Sequence, residues 1–131
     1  FGILDPATGT LTYINGGHPY PAIISATGEL KARLPATGPA VGMLPDVTFD
    51  IQQTRLEPGD FLFAFSDGVT DARCPNKRFF TEKSLLPLLS LPTDSAGALL
   101  TRIEASLRAH ISTADQFDDI TMLAVRRAAA S

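Results

Sequence analysis

The 131 residues amount to one domain, which at this length buries roughly two-thirds of the surface that its unfolded chain exposes. Hydrophobic residues make up 44% and charged residues 19% of the chain. This excludes a disordered or fibrous protein, because disorder needs low hydrophobicity and high net charge. A formal net charge of −3 provides no attraction to nucleic acid or to an anionic membrane, so we expect neither as a partner.

The sequence also indicates where the protein works. No apolar run approaches the ~20 residues that a membrane-spanning helix needs, so we expect no membrane contact from this segment. The single cysteine, Cys74, has no partner for an internal disulfide, which fits a reducing compartment and predicts a cytoplasmic protein. The chain opens on a strand-like segment without an initiator methionine, so we expect it to be part of a longer protein.

Turn signals separate short apolar runs in the first half of the chain. Pro6 and Gly9 suit a tight connection between antiparallel strands. Val47, Phe49 and Ile51 alternate with polar residues and predict a half-buried strand. The run 61–65 is apolar on both faces, which predicts a central strand covered on both sides. The other predicted strands are residues 1–5, 11–14, 22–24 and 30–34.

The second half of the chain changes to a helical period. A helix capped by Thr81 is expected to reach Leu89, with Pro87 bending or ending it. A longer helix, capped by Asp94 or Ser95, continues to about residue 110, with apolar residues four apart on one face. A last strand follows over residues 120–125. Mainly antiparallel sheet with helices on one face makes this an α+β domain, and no linker divides residues 1–131.

Two aspartates stand at the ends of predicted apolar strands. Asp67 follows the strand 61–65, and Asp118 precedes the strand 120–125. If these strands are antiparallel neighbours, both carboxylates reach one edge of the sheet, where such oxygen ligands hold Mg²⁺ or Mn²⁺. Gly68 lets the backbone come close to the ion. Because Asp67 ends an apolar strand, we expect its carboxylate to be partly desolvated.

The same residues also suit structural roles. Asp67-Gly68 is a common hairpin turn, and Asp118-Asp119 is typical of a solvated or capping loop. His18, in a Gly-Gly-His-Pro segment between two strands, is either a ligand or acid, or a residue that bonds backbone in a tight turn. Residue spacing alone leaves these alternatives open.

The segment after Asp67 carries further polar side chains. Asp71 is either an acid behind the metal ligands or part of the next turn. Arg73, Lys77 and Arg78 either face a phosphate or are solvated, and the second is more common for bases on one loop. Cys74 has no histidine close in sequence to activate it, so we do not expect a nucleophile there.

Three segments together resemble one known family. Residues 13–21 (Tyr-Ile-Asn-Gly-Gly-His-Pro-Tyr-Pro) resemble the Asn-Ala-Gly-His-x-Pro segment of the bacterial SpoIIE-like phosphatases. Residues 59–73 resemble their Gly-Asp, apolar strand, Thr-Asp-Gly-Val-Thr-Glu-Ala-Arg signature. Residues 118–125 resemble their C-terminal Asp-Asp-Ile-Thr strand. Any one segment alone is a weak signal, but three in the family order make a specific match to the metal-dependent (type 2C) protein phosphatases.

The resemblance implies a metal-dependent protein Ser/Thr phosphatase with an α-β-β-α sandwich of mainly antiparallel sheets. The family binds a pair of Mn²⁺ or Mg²⁺ ions, and a metal-activated water attacks phosphorus directly, without a protein nucleophile. By position, Asp67 and Asp118 correspond to two ligands of one ion, with Gly68 beside the first. The remaining residues expected near the site are His18, Asp71 and Asp119.

The family also implies a partner and a boundary. Its members often dephosphorylate a small phosphoserine protein, an anti-anti-sigma factor, so we expect a phosphorylated regulatory protein as substrate. Residues 1–131 correspond to the C-terminal half to two-thirds of the family's domain. The upstream acidic residue and the Asp-x-x-Gly-His/Lys-Gly segment that bridges both metals have no counterpart here. We therefore expect the isolated segment to lack the second metal's ligands and to be inactive.

Small departures from the family pattern are Ser66 for threonine, Asp71 for glutamate, and Thr81 where a glycine commonly follows the Phe-Phe pair. Two other hypotheses stay open. One is a catalytically inactive module that keeps the scaffold and binds a partner. The other is an unrelated chain whose Asp-Gly and Asp-Asp elements are only turns.

Overall fold

Short antiparallel strands form two sheets, and helices follow the strand that the sequence identifies as most apolar. The structure, a computed structural model, describes residues 1–129, so Ala130 and Ser131 lie outside it. The strands are β1 (Gly2–Leu4), β2 (Thr10–Tyr13), β3 (Ala22–Ile24), β4 (Leu30–Arg33), β5 (Gln52–Arg55), β6 (Phe61–Phe65) and β7 (Met122–Arg126). The helices are α1 (Asp67–Thr70), α2 (Thr81–Leu89) and α3 (Ala96–Ile111).

The strands pair in the orders β1-β2-β5 and β4-β3-β6-β7, and every pairing is antiparallel. The expected α+β class is confirmed. In the four-stranded sheet β6 lies between β3 and β7, as expected for a central strand, but the expected cover on both faces is incomplete, because Leu62 and Ala64 are only half-buried. Its register with β7 runs from Phe61 opposite Arg126 to Phe65 opposite Met122. None of the helices within residues 1–129 is long and apolar enough to cross a bilayer.

One face of the four-stranded sheet is covered by helices. Alternate residues of β6, namely Phe61, Phe63 and Phe65, point to this face and are at most 2% exposed. Helix α3 packs against them with the apolar residues that the sequence spaces four apart, Leu99, Ile103 and Leu107. Burying side chains of this size contributes about 1.5–3 kcal/mol each, so this layer dominates the stability of the fold.

The opposite face packs against the three-stranded sheet. Ile23 of β3 turns to this side while its neighbours face the helices, because successive side chains of a strand alternate between faces. It joins Leu11, Leu34 and Leu56 in a smaller buried cluster. The described residues therefore form three layers: a three-stranded sheet, a four-stranded sheet and helices.

The helix starts differ from one another. Ser95 caps α3, and its side chain accepts a hydrogen bond from the backbone N of Ala98 at 3.0 Å. Thr81 does not cap α2: Phe80 occupies the cap position without a side-chain bond, and Thr81 is the first helical residue, at a φ of 61°. Pro87 lies inside α2 and does not end it before Leu89.

The expected strand around Val47, Phe49 and Ile51 is wrong. Residues 47–51 are irregular, and the strand lies just beyond, at Gln52–Arg55, where it pairs with β2. Phe49 is half-buried because its ring packs against Gly16 and Gly38 in neighbouring loops, whereas Ile51 is 72% exposed. The alternation in the sequence therefore does not mark the buried face of a strand.

Candidate metal-binding edge of the larger sheet

The pairing of β6 with β7 brings the two predicted acidic segments to one edge of the sheet. The last pair of the register is Phe65 with Met122, and beyond it the backbone N of Ser66 donates to the carbonyl of Thr121 at 2.9 Å. Asp67 follows directly on one strand, and Asp118 precedes the other. The expected convergence of these strand ends is observed.

The two segments touch through small residues. The Oγ of Ser66 donates to the carbonyl of Asp119 at 3.2 Å and accepts from the backbone N of Thr121 at 3.0 Å. Gly68 is buried, and a Cβ at this position would collide with the carbonyl oxygen of Asp119. A glycine is therefore required here by the close approach of the two segments.

Asp67 opens helix α1 and does not form a hairpin turn. Its carbonyl accepts from the Oγ1 of Thr70 at 3.2 Å and from the backbone N of Asp71 at 2.8 Å, which closes the short helix. The hairpin alternative is wrong, because β6 pairs with strands distant in sequence and not with the segment that follows it. Asp71 is half-buried at the end of α1 and so takes the turn position.

The expected desolvation of Asp67 is also wrong. Its side chain is exposed, since the covered part of the strand ends at Phe65 and α1 carries Asp67 beyond the helices' cover. Asp118 and Asp119 are exposed as well. One carboxylate oxygen of Asp118 accepts from the backbone N of Asp119 at 2.7 Å, and its carbonyl accepts from the side-chain amide of Gln116 at 2.9 Å.

His18 reaches the same edge from a turn that Asn15 builds. Asn15 is 5% exposed, and its side-chain oxygen accepts from the backbone N of His18 at 2.8 Å. Its amide nitrogen donates to the carbonyls of Leu34 at 3.0 Å and His18 at 3.2 Å. The ring Nδ1 of His18 donates to the carbonyl of Pro19 at 3.0 Å. These hydrogen bonds of Asn15 lie within the segment 13–21, but our sequence analysis assigned no role to Asn15.

A shallow depression of about 310 Å³ joins these elements. Gly16, Gly17 and His18 line one side, and Ser66 and Asp67 line the other. His18 and Asp67 therefore border the same depression. A polar residue buried in a Gly-rich turn is the signal that could have identified Asn15, because such a residue has to satisfy backbone groups.

The donor set suits a hard divalent cation but is small. Asp67 and Asp118 offer carboxylate oxygens, the ligands that Mg²⁺ and Mn²⁺ prefer, and neither forms an ion pair within residues 1–129. At Gly68 the segment that carries Asp67 comes close to the backbone of Asp119. No group of three or more His, Cys, Asp or Glu side chains in the described part of the chain could hold an ion. The chain therefore contributes two candidate ligands, and a complete site needs further donors.

The fold of the described residues is that of PP2C-type phosphatase domains. The SiaA-PP2C domain of Pseudomonas aeruginosa matches with a TM-score of 0.74 and 18% identity, over 90% of this chain and 46% of that one. The phosphatase domain of SpoIIE from Bacillus subtilis matches with a TM-score of 0.73 and 15% identity, over 100% and 56%. The RsbU and RsbW domains of Rv1364c from Mycobacterium tuberculosis match with a TM-score of 0.71 and 25% identity, over 99% and 36%.

The sequence then defines the family. Residues 1–128 match the model of the family named Stage II sporulation protein E (SpoIIE), and the chain belongs to that family. Protein IcfG of Synechocystis sp. (strain ATCC 27184 / PCC 6803 / Kazusa) is 45% identical over 127 residues. These cover 97% of this chain but 20% of IcfG, so the chain spans about a fifth of that relative.

Proposed function

We propose that this chain is part of a metal-dependent protein serine/threonine phosphatase, in which Asp67 and Asp118 are ligands of one Mn²⁺ or Mg²⁺ ion. The observation that carries the proposal is the contact of Ser66 and Gly68 with Asp119, which supports a fixed spacing between the two carboxylates. Family membership supports the reaction class.

The chemistry divides between the ion and the chain. A bound Mn²⁺ or Mg²⁺ supplies a water activated for attack on phosphorus and neutralises charge on the phosphoryl oxygens. Asp67 and Asp118 hold and orient that cation through hard oxygen atoms. Gly68 keeps the backbone close, and His18, in the segment between β2 and β3, borders the approach to Asp67. Both ions occur with proteins of similar fold: RsbX was solved in complex with magnesium, and the SpoIIE phosphatase domain was presoaked in manganese.

The proposed substrate is a phosphoserine or phosphothreonine on a cytoplasmic regulatory protein, of the partner-switching kind and similar to an anti-anti-sigma factor. The site's shape supports a protein substrate. The depression between His18 and Asp67 is shallow and its carboxylate is exposed, whereas small-molecule sites enclose most of the ligand surface. A phosphorylated side chain on a protein surface can reach such an edge.

Substitution of Asp67 tests the ligand assignment. Asp67→Asn keeps the shape and removes the charge, so in the protein with its natural flanking sequence we expect Mn²⁺-dependent hydrolysis of a phosphoserine protein to fall more than about 100-fold. The melting temperature without metal should stay the same or rise slightly, since repulsion with Asp118 is relieved. The gain in stability on adding Mn²⁺, about 2.7 kcal/mol at 100 times the Kd, should disappear.

Asp115→Asn is the matched control, because Asp115 is an exposed carboxylate in the same loop as Asp118. It should leave turnover and the Mn²⁺-induced stabilisation unchanged. Normal turnover in the Asp67→Asn variant contradicts the ligand assignment. Residues 1–131 alone should show negligible hydrolysis, because two carboxylates leave Mg²⁺ or Mn²⁺ mostly hydrated and weakly held.

A catalytically inactive binding module is the second candidate. It is favoured by the small donor set, since no group of three potential metal-binding side chains occurs in residues 1–129. The two candidates differ in the sequence before Phe1. An Asp-x-x-Gly-His/Lys-Gly segment there supports the enzyme, and its loss supports the binding module, whose partner affinity should not change on Asp67→Asn.

A further inference from the structure

Arg73 connects two segments that are far apart in sequence. Its guanidinium carbon lies 3.6 Å from the ring centroid of Phe117 and 5.0 Å from that of Phe79, so the two rings enclose it. Phe79 belongs to Arg73's own turn, where the two residues form an isolated antiparallel bridge. Phe117 belongs to the loop between α3 and β7. The guanidinium therefore ties that loop to the segment that follows Asp67.

The guanidinium of Arg73 is positioned by the two rings, while its backbone is paired with Phe79. Its Nε is buried and has no hydrogen-bond partner within the described residues. The two rings lie outside both apolar clusters, and Phe117 is 51% and Phe79 46% exposed. A guanidinium over an aromatic face is attracted by the ring's quadrupole, and more strongly when water is partly excluded.

The loop that carries Asp118 has few other anchors ahead of that residue. The backbone N of Ala114 donates to the carbonyl of Ile111, and the side chain of Gln116 donates to the carbonyl of Asp118. Both bonds are local and leave the position of the loop relative to β6 open. Ile120, after Asp118, packs against the helix-side core, and the other long-range contacts of the loop come from the segment that carries Asp67.

These contacts lie on both sides of Asp118. On the C-terminal side, the carbonyl of Asp119 accepts from the hydroxyl of Ser66 and lies close against Gly68. On the N-terminal side, Phe117 is held by Arg73. Both ties originate from the one segment that also carries Asp67. The two candidate ligands are thereby linked before and after Asp118.

We propose that Arg73 is a positioning residue for the metal site. Its stacking on Phe117 fixes the loop before Asp118, as the Ser66 contact fixes the loop after it, and so sets the spacing of the Asp67 and Asp118 carboxylates. This inference rests on the proposed function, because the spacing of the two carboxylates matters only if they bind one metal ion. Groups that orient metal ligands typically change metal affinity by 10–100-fold.

The experiment measures Mn²⁺ affinity by calorimetry and backbone order by NMR, in the protein with its natural flanking sequence. Arg73→Ala should weaken Mn²⁺ binding about tenfold. Without metal, the order parameters of Phe117 and Asp118 should fall from about 0.85 towards 0.6. Phe117→Leu should do the same, whereas Phe117→Tyr keeps an aromatic face and should restore both values.

A double variant tests whether Arg73 and Phe117 act through their contact with each other. If the effect passes through the stacked contact, the double variant Arg73→Ala/Phe117→Leu should bind Mn²⁺ no more weakly than either single variant. Arg126→Ala is the control, because Arg126 lies 5.6 Å from the ring centroid of Phe61 at the opposite end of the same strand pair. It should leave Mn²⁺ affinity and the order of the Asp118 loop unchanged.

The outcomes separate the two proposals. Unchanged order and affinity in Phe117→Leu overturn the positioning role, even if Arg73→Ala fails to fold, since Phe117 is half-exposed. An equal loss in Arg126→Ala also overturns it, because the effect is then one of general stability. Normal Mn²⁺ binding by the Asp67→Asn variant refutes the ligand assignment itself. If Asp67→Asn loses Mn²⁺ binding but Arg73→Ala binds Mn²⁺ as the wild-type protein does, only the role of Arg73 is refuted.

Discussion

The two faces of the four-stranded sheet are buried to different degrees. On the helix side, Phe61, Phe63 and Phe65 are covered almost completely. On the other side, the neighbouring Leu62 is only half-buried, and a space of about 320 Å³ lies between the sheets. Leu123 of β7 also faces this side and is 55% exposed. Within residues 1–129, the β6 part of the helix side is closed, although a depression of about 590 Å³ lies between α3 and the start of β7, and the inter-sheet side is open.

This difference bears on the candidate site. Asp67 opens α1 directly after β6, and Asp118 lies in the loop before β7, so both adjoin strands whose inner residues pack against the helices. His18 comes from a turn on the open side and depends on Asn15 for its position. We therefore expect the half of the site that carries Asp67 and Asp118 to be the more rigid, and the half that carries His18 to respond more to its surroundings.

The largest expected effect compares one leucine from each side. Leu99 and Leu56 are both 0% exposed, so the same group is removed from equally buried positions. Leu99→Ala should lower the free energy of unfolding by about 4 kcal/mol and Leu56→Ala by about 2 kcal/mol, because an open-sided cluster relaxes around the cavity more easily. Urea denaturation measures both. Equal losses would show that the two sides are packed alike.

Asp60 provides the next largest effect, at the start of β6. It is 3% exposed, bonds the Nζ of Lys31 at 2.8 Å and accepts from the backbone N of Glu57 at 2.9 Å. Asp60→Asn should cost about 3 kcal/mol, because an amide nitrogen is set against donors in a buried position. Lys31→Met should cost a similar amount, because it leaves the Asp60 carboxylate, whose side chain is 4% exposed, without its ionic partner. Denaturation measures both variants, and a negligible loss in Lys31→Met contradicts this account.

Asn15 tests the responsive half of the site. Asn15→Ala leaves the carbonyl of Leu34 and the backbone N of His18 without their partner, which should cost about 2 kcal/mol. Asn15→Asp keeps the acceptor and should preserve the His18 bond while losing the Leu34 bond. NMR shifts of the His18 ring report the turn, and we expect them to move more in the alanine variant. Identical shifts in both variants argue against the turn role.

The smallest effect is a gain on the helix side. Thr81 is β-branched and has a φ of 61°, a conformation that L-residues other than glycine adopt at a cost. Thr81→Gly should raise the free energy of unfolding by about 0.5–1 kcal/mol. Ser84→Gly, in the interior of α2, should lower it by a similar amount. A thermal melt of both variants checks the signs, and a loss in Thr81→Gly would mean that the threonine is not strained.

Local pattern was enough to predict most elements. The runs that became β3 and β6 were predicted with their observed bounds, and the spacing of Leu99, Ile103 and Leu107 predicted the buried face of α3. The convergence of the Asp67 and Asp118 segments also followed, because it needs only that two apolar strands be antiparallel neighbours. Such signals depend on residues a few positions apart and on strand alternation.

Other features were decided by contacts between distant residues. The burial of Phe49 comes from neighbouring loops, and the exposure of Asp67 comes from where the helices' cover stops. The stacking of Arg73 on Phe117 has no counterpart in either local sequence. Hydrophobic periodicity indicates which side of a helix or strand is apolar, but not which part of the chain packs against that side. The candidate ligands could therefore be chosen from the sequence, whereas the groups that hold them in place emerged only when the chain was packed.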